Sequence, residues 1–537
     1  MLASPLSWRV VFAAAVRHLD FEKHRDYQVG VVLFYYSPTM EKTVWDIFQE
    51  LPGIVEEHKL FCDSVNIINR PTREELANLS KSFPSDKGRS LENVFRDTEE
   101  ILSHRFSTGH PRFFALVPSP ASPLSWLGDA LSTAFNNYAG SSESGAGVSA
   151  IEDSIIRWVA ERFGMPPSAG GQFVSGASIA CLTALTVARD QLVEDDMRTK
   201  AVAYLSDETH FCVAKALRIT GLLEHQIRTV PCNAKFQMDP DRLRSTIAQD
   251  IKDGLKPYVV VATCGTTSTG SIDPMDTIAD IANEYNMWMH VDAAYGGSVA
   301  FCESHRKLMQ GLGRADSVAW DPHKWLFQTL GCSLVVFKEK SHPAKSFAAT
   351  AHFLRDLEDA GSQNPYNYGI ELSRPARHMR LWFSLQILGT DKIDQMISRG
   401  FELANLVENE IRKLADWEII TPNALAVLNF RFIPKDMNAD DVDRINGLIS
   451  KELCVQNIAA VFTTCINGVV CLRMCTINPR TTDNDIRDVI NALDQNAQGI
   501  SRRFTRTESD LDDRKKGYRA MKDGLLCSNR RSGVLPG

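Results

Sequence analysis

The chain has no uninterrupted apolar stretch of the roughly 18 to 20 residues that a membrane-spanning helix needs, so no membrane partner is expected. It also lacks any Cys-x-x-Cys pair. Its 12 cysteines are scattered, and the closest two, Cys471 and Cys475, have no histidine cluster beside them. That absence argues against a metal centre and against a disulfide-stapled secreted scaffold, and it points to thiols used as small apolar side chains in a reducing compartment. A basic face is missing too: the formal net charge is −7, and clustered Lys and Arg occur only in the C-terminal tail, so no nucleic-acid partner is expected. There is no internal repeat. The N-terminal apolar run, Val10 to Val16, is short, lies between Arg9 and Arg17, and has no charged leader or clear cleavage site. It reads as an amphipathic helix, and the chain as cytoplasmic.

What is present is enough chain, 537 residues, for a large core and more than one domain. Its centre of gravity is residues 286–337. Met287 to Val291 forms a continuous apolar and aromatic run ending at Asp292, which reads as a buried strand with a carboxylate at its end. Lys324 sits between Asp321-Pro322-His323 and Trp325-Leu326-Phe327, where a free ammonium would be poorly solvated. A lysine neutralised as a Schiff base and an acid paired with a protonated pyridine nitrogen are the two groups a pyridoxal-phosphate enzyme needs. Residue by residue the pattern leaves other readings open: an Asp after a strand also serves as a cap, and a Lys beside Trp also snorkels to the surface.

Around this centre, strands alternate with helices. Strands are expected at Gln172–Val174, Lys200–Leu205, Tyr258–Thr263, Ser317–Trp320 and Gly331–Lys338, with a helix over Thr277–Tyr285. Val29 to Tyr36 fits a strand or a buried helical turn. Ser149-x-x-Glu152 reads as a capping box, opening a helix whose apolar stripe (Ile151, Ile155, Ile156, Val159) ends at Gly164. The spacing predicts βαβ units and a largely parallel sheet with a site at the strands' C-terminal ends. One such end breaks at Gly176 before an apolar helix near Ser178. There, free N–H groups and the helix dipole suit an anion, as they do at many strand–Gly–helix turns.

HVDAAYGG followed by DPHKW closely resembles the group II pyridoxal-phosphate decarboxylases, which include the aromatic-L-amino-acid, tyrosine, tryptophan, histidine, glutamate and diaminobutyrate decarboxylases. The resemblance runs with ordered motifs from about His110 to Leu388, and more weakly to about residue 495. It implies a fold type I α/β enzyme with pyridoxal 5'-phosphate joined to Lys324 and its ring nitrogen paired with Asp292. It further implies His210 stacked on the ring and able to steer protonation, Thr267 touching the cofactor, and Ala294 lying under it. Ala177 and Ser178 hold the phosphate, with Asp321 and His323 as further candidates. Ile179 stands where the family usually has Glu, and Asp321 where it often has Asn. Pro118 and Ser119, with Phe113, Phe114 and Val117, match a segment that lines the substrate mouth.

The resemblance also implies a homodimer with each site built from two subunits. The domains expected are an N-terminal segment (1–109), a large cofactor domain (110–390), a small C-terminal α/β domain (391–499) and a charged tail (500–537). The expected reaction is decarboxylation of an L-amino acid, aromatic (tryptophan or tyrosine) in the first reading and acidic or diamino in another. A mobile loop within 339–369 carries the family's proton-donating tyrosine. Aligned there, Phe353 takes that tyrosine's place, although Tyr366 and Tyr368 are alternatives. With Phe353, the product becomes an aldehyde with ammonia and peroxide. Aminotransferase chemistry on the same fold and a non-catalytic binding role are the remaining alternatives.

Overall fold

The structure, a computed structural model, describes residues 66–84, 86–348 and 364–504. Val29–Tyr36, Phe353 and the tail beyond 504 lie outside them. The chain divides into two compact units, 1–64 with 71–104, and 65–70 with 105–537. In the first, the described residues form α1 (Arg73–Leu79) and α2 (Leu91–Ser103). Thr72 and Glu75 close a capping box on α1, and Ser90 caps α2.

The second unit begins with α3 (Pro123–Phe135) and α4 (Ala146–Phe163), then enters a seven-stranded sheet. In chain order these elements are β1 (Gly170–Val174), α5 (Ala177–Leu192), β2 (Ala201–Ser206), α6 (Phe211–Ile219) and β3 (Ile227–Val230). They continue with α7 (Pro240–Lys252), β4 (Lys256–Thr263), α8 (Met275–Glu284), β5 (Trp288–Asp292), β6 (Ser317–Trp320) and β7 (Ser333–Phe337). The strand order is β1-β7-β6-β5-β4-β2-β3. Only β7 runs against the others, pairing antiparallel with both β6 and β1. The largely parallel sheet expected from the alternation is what forms, and its central strands β4, β5, β6 and β7 are almost wholly buried because helices cover both faces. On β4, Val260 and Ala262 join the core shared with α4, α7 and α8, while Val259 and Val261 join the one shared with α5 and α6.

After α9 (His342–Phe347), α10 (Met379–Ile411) runs from the large sheet to a smaller one, broken at Gly389, whose φ of 69° ends the helical path there. The smaller sheet is antiparallel: β8 (Trp417–Ala424), β9 (Val427–Phe432), then, after α11 (Ala439–Val455), β10 (Phe462–Ile466) and β11 (Val469–Cys475), in the order β10-β11-β9-β8. Helix α12 (483–504) and α11 pack on it through Ile445, Ile449, Ile486 and Val489.

The capping box expected at Ser149 and Glu152 does not form. Helix α4 starts four residues earlier with Gly145 as its cap, and both side chains are buried inside it. Ser149 Oγ donates to Ser141 O, and Glu152 takes an ion pair from Arg374 and a hydrogen bond from Phe173 N. A buried guanidinium is a stronger partner for that carboxylate than a helix-end N–H. The Gly164 end of the helix is left-handed (φ 76°), as expected.

Candidate active site

Five chain segments leave the C-terminal ends of β1, β2, β4, β5 and β6 and meet in one cavity of about 300 Å³. Ala177, Ser178, His210, Thr267, Asp292, Ala294, Asp321, His323 and Lys324, separated by up to 147 residues (324 − 177), all line it. Parallel strands bring their ends to one edge of a sheet, so residues following different strands share a site there.

Asp292 is the last residue of β5. Its Oδ1 accepts from Ala294 N at 3.0 Å, and its backbone oxygen accepts from Cys264 N. No hydrogen-bond donor among the described residues meets its other oxygen. Burial raises its pKa, against the opposing pull of Lys324 and the Ala294 N–H. A cationic N–H at that oxygen would relieve the burial cost. Just past the same end of the neighbouring parallel strand β6, Lys324 Nζ lies 3.2 Å from Asp321 Oδ2, and its backbone N donates to Asp321 O. Burial disfavours the ammonium, but Asp321 and Asp292 outweigh it and hold the pKa above the ordinary lysine value. Asp321 is itself fixed by the Ser333 hydroxyl, and His323 by the Cys332 carbonyl at 2.8 Å.

Trp325, next to the lysine, is fully buried between Tyr295 (centroids 5.2 Å, 18°) and Phe401 (5.2 Å). It anchors the Lys324 turn in the core and is absent from the cavity wall.

The anion-binding end is the start of α5. Gly176 caps it with no side-chain hydrogen bond, and the N–H groups of Ala177 and Ser178 have no acceptor among the described residues. His210 caps α6, its Nδ1 accepting from Cys212 N at 3.3 Å. Thr267 sits on a loop held by linked hydroxyls: Thr266 to Thr269 at 2.7 Å and Thr269 to Ser271 at 2.9 Å. Gly265 on that loop has φ 97°, and a Cβ there would meet Leu425 Cδ1 at 2.9 Å.

Pro118 and Ser119 do not line this cavity, whereas Val117 does. Ser119 turns its hydroxyl to the His323 carbonyl, bracing the lysine loop, while Phe113 and Phe114 are core. Residues not anticipated on the wall include Ser175, Cys212, Thr263, Tyr295 and Leu330. Ser175 and Cys212 lie within two residues of anticipated ones, which was the available signal; Leu330 had none.

The arrangement suits a flat heterocycle carrying an anionic group at one end, a ring nitrogen to meet Asp292 and an aldehyde to meet Lys324. Residues 73–433 match the pyridoxal-dependent decarboxylase conserved domain. The chain is 35% identical over 429 residues to an aromatic-L-amino-acid decarboxylase of Bacillus atrophaeus, covering 79% of this chain and 88% of that protein. It is 30% identical over 431 residues to a phenylacetaldehyde synthase of a Rosa hybrid cultivar, covering 76% and 85%. The fold superposes on Oryza sativa TDC with PLP and tryptamine at TM-score 0.82 and 23% identity, covering 87% of this chain and 99% of that one. It superposes on mouse CSAD at TM-score 0.79 and 25% identity, covering 85% and 99%. By its matched domain, its fold and its relatives, the chain belongs to the pyridoxal-dependent decarboxylase family and is a fold type I, pyridoxal 5'-phosphate-dependent amino-acid decarboxylase.

Proposed function

We propose that the substrate is an aromatic L-amino acid, tryptophan or tyrosine, released as its amine with carbon dioxide. The observation that carries this is the cavity wall, where no arginine stands among the described lining residues. Arg380, which reaches the wall at Leu330 O, is already engaged by Asp129 and Thr329. An acidic side chain would therefore enter without a counter-charge, whereas Val117 and Leu330 offer apolar surface. The names of several relatives, tryptophan and tyrosine decarboxylases among them, agree with this choice.

Bound pyridoxal phosphate supplies an electron sink for the pair released as carbon dioxide leaves. In this reading the amine of Lys324 holds the cofactor's aldehyde, and Asp292 keeps a proton on its ring nitrogen. The free N–H groups of Ala177 and Ser178, with the Ser178 hydroxyl, take the phosphate at the positive end of α5. The methyl of Ala294, beside Asp292, leaves room for a flat ring. His210 is placed to hold or move a proton on the ring's face, and its pKa is raised by Cys212, against the effect of burial. Thr267, Asp321 and His323 complete the cradle. We also place the protein in the cytoplasm as a homodimer, with domains as expected from the sequence.

A second reading rests on Phe353 at the position of the family's loop tyrosine: oxidative deamination to an arylacetaldehyde. A panel of amino acids with carbon dioxide, amine, aldehyde and peroxide all monitored decides between them. Tryptophan or tyrosine giving amine supports the first reading. Aldehyde and peroxide in place of amine support the second, and turnover confined to acidic or diamino substrates refutes both.

A further inference from the structure

Two cysteines meet beside the site. Cys212, in the first turn of α6, lines the cavity two residues after His210. Cys181 lies on the first turns of α5, four residues after Ala177. Their sulfurs and a carboxylate oxygen of Asp292 all lie within 4.8 Å of one another. Both helices pack on the same face of the sheet, and both thiols are buried in its core. The neighbouring Cys181 thiol, and then the His210 ring, lower the Cys212 pKa against the effect of burial, while Cys181 is pushed up. Cys212 is thus the more readily ionised sulfur, with the Cys181 thiol beside it, the arrangement of an oxidisable pair. The trio could be read as a metal site, but the Lys324 ammonium acts on both Asp292 and Cys212, which disfavours a further cation between them.

We propose that Cys181 and Cys212 form a reversible disulfide when a small peroxide enters the cavity, and that this disulfide switches the site off. The Cys212 thiolate attacks one oxygen of hydrogen peroxide, forming an S–O bond as the O–O bond breaks and hydroxide leaves. Cys181 sulfur then attacks the sulfenic sulfur, forming the S–S bond as the second hydroxide leaves with the Cys181 proton. Two thiols and one peroxide become one disulfide and two waters. Closing the sulfurs to about 2.05 Å pulls the first turns of α5 and α6 together. Those turns carry the Ala177–Ser178 anion site and His210, so both ends of the cradle move.

The test uses the full-length, cofactor-loaded protein, treated with hydrogen peroxide, alkylated and mapped by mass spectrometry without reduction. The expected result is a Cys181–Cys212 cross-linked peptide, with carbon dioxide release down by roughly 100-fold, the lower range for a misplaced acid–base group. Dithiothreitol restores it. The activity arm rests on the proposed role of His210; the peptide map does not, and would stand if that role failed. Cys181→Ser, and Cys181→Ala should the first not fold, keep basal activity but lose recovery, because Cys212 then oxidises past the sulfenic stage. Both thiols still alkylatable after peroxide, a different disulfide, or equal recovery in the Cys181 variants would overturn the proposal.

Discussion

Replacing Glu152 with Gln removes one charge and almost no volume. Glu152 and Arg374 are 3% and 2% exposed, joined by Arg374 Nη2 to Oε1 and Nη1 to Oε2 at 3.3 Å. The guanidinium also donates to the carbonyls of Ala139 and Phe173, and Phe173 N donates to Glu152. The pair thus ties α4 to β1 and to the segment that follows residue 363, just before the Gly176 turn. Gln Oε1 can still accept from Phe173 N, but its amide nitrogen replaces the oxygen that Arg374 Nη1 meets, so the change removes the charge and one acceptor. Leaving a buried cation without its anion costs about 3–5 kcal/mol. At roughly 2 °C per kcal/mol, suited to a large unit, the melting temperature falls by roughly 6–10 °C. Calorimetry at one fixed scan rate measures it, since chains of this size unfold irreversibly. Burial works against ionised Glu152, but Arg374 overrides it and holds the pKa below the ordinary glutamate value. A depressed folded pKa adds stability above the unfolded value near 4.5 that is lost as pH falls through the folded one. The acid melting curve of Glu152→Gln should therefore be flatter below that point. A melting temperature within about 1 °C of the parent's would refute the reasoning.

Asp292→Asn keeps the fold and the lysine-bound cofactor's absorbance but lowers kcat by roughly 100-fold or more, equivalent to about 3 kcal/mol for a buried pair losing one charge. Single-turnover carbon dioxide release reads it, and a loss under about tenfold would mean that the carboxylate does not face the ring nitrogen. Burial depresses His290 to about 3 from 6.5. Its contribution is present above pH 6.5 and lost as pH falls toward 3, because the unfolded state takes up a proton the folded one refuses. His290→Asn should reduce the slope of stability against pH in that window; an unchanged slope in chemical denaturation would count against it.

The parts of the fold that are legible in sequence are those whose signals are local. A buried parallel strand is a short apolar run, so Met287–Asp292 and Tyr258–Thr263 declare both the strand and the site at its end. Gly176 before an apolar helix marks the anion turn for the same reason. What is illegible depends on partners far along the chain. Glu152 looks like a capping residue until Arg374, 222 residues away, claims it. The bracing of the lysine loop by Ser119 is visible only once its hydroxyl meets the His323 carbonyl, 204 residues on. Cys212 gains its character only where α5 and α6 pack, and Leu330 reaches the wall only because the turn before β7 folds back.

The central claim is a covalent link between Lys324 and the cofactor aldehyde, and borohydride reduction freezes such a link for direct detection. After reduction and proteolysis, mass spectrometry should find the phosphopyridoxyl group on the peptide containing Asp321-Pro322-His323-Lys324-Trp325, at Lys324. The same group on another lysine, or a fully active enzyme with none attached, would contradict the account.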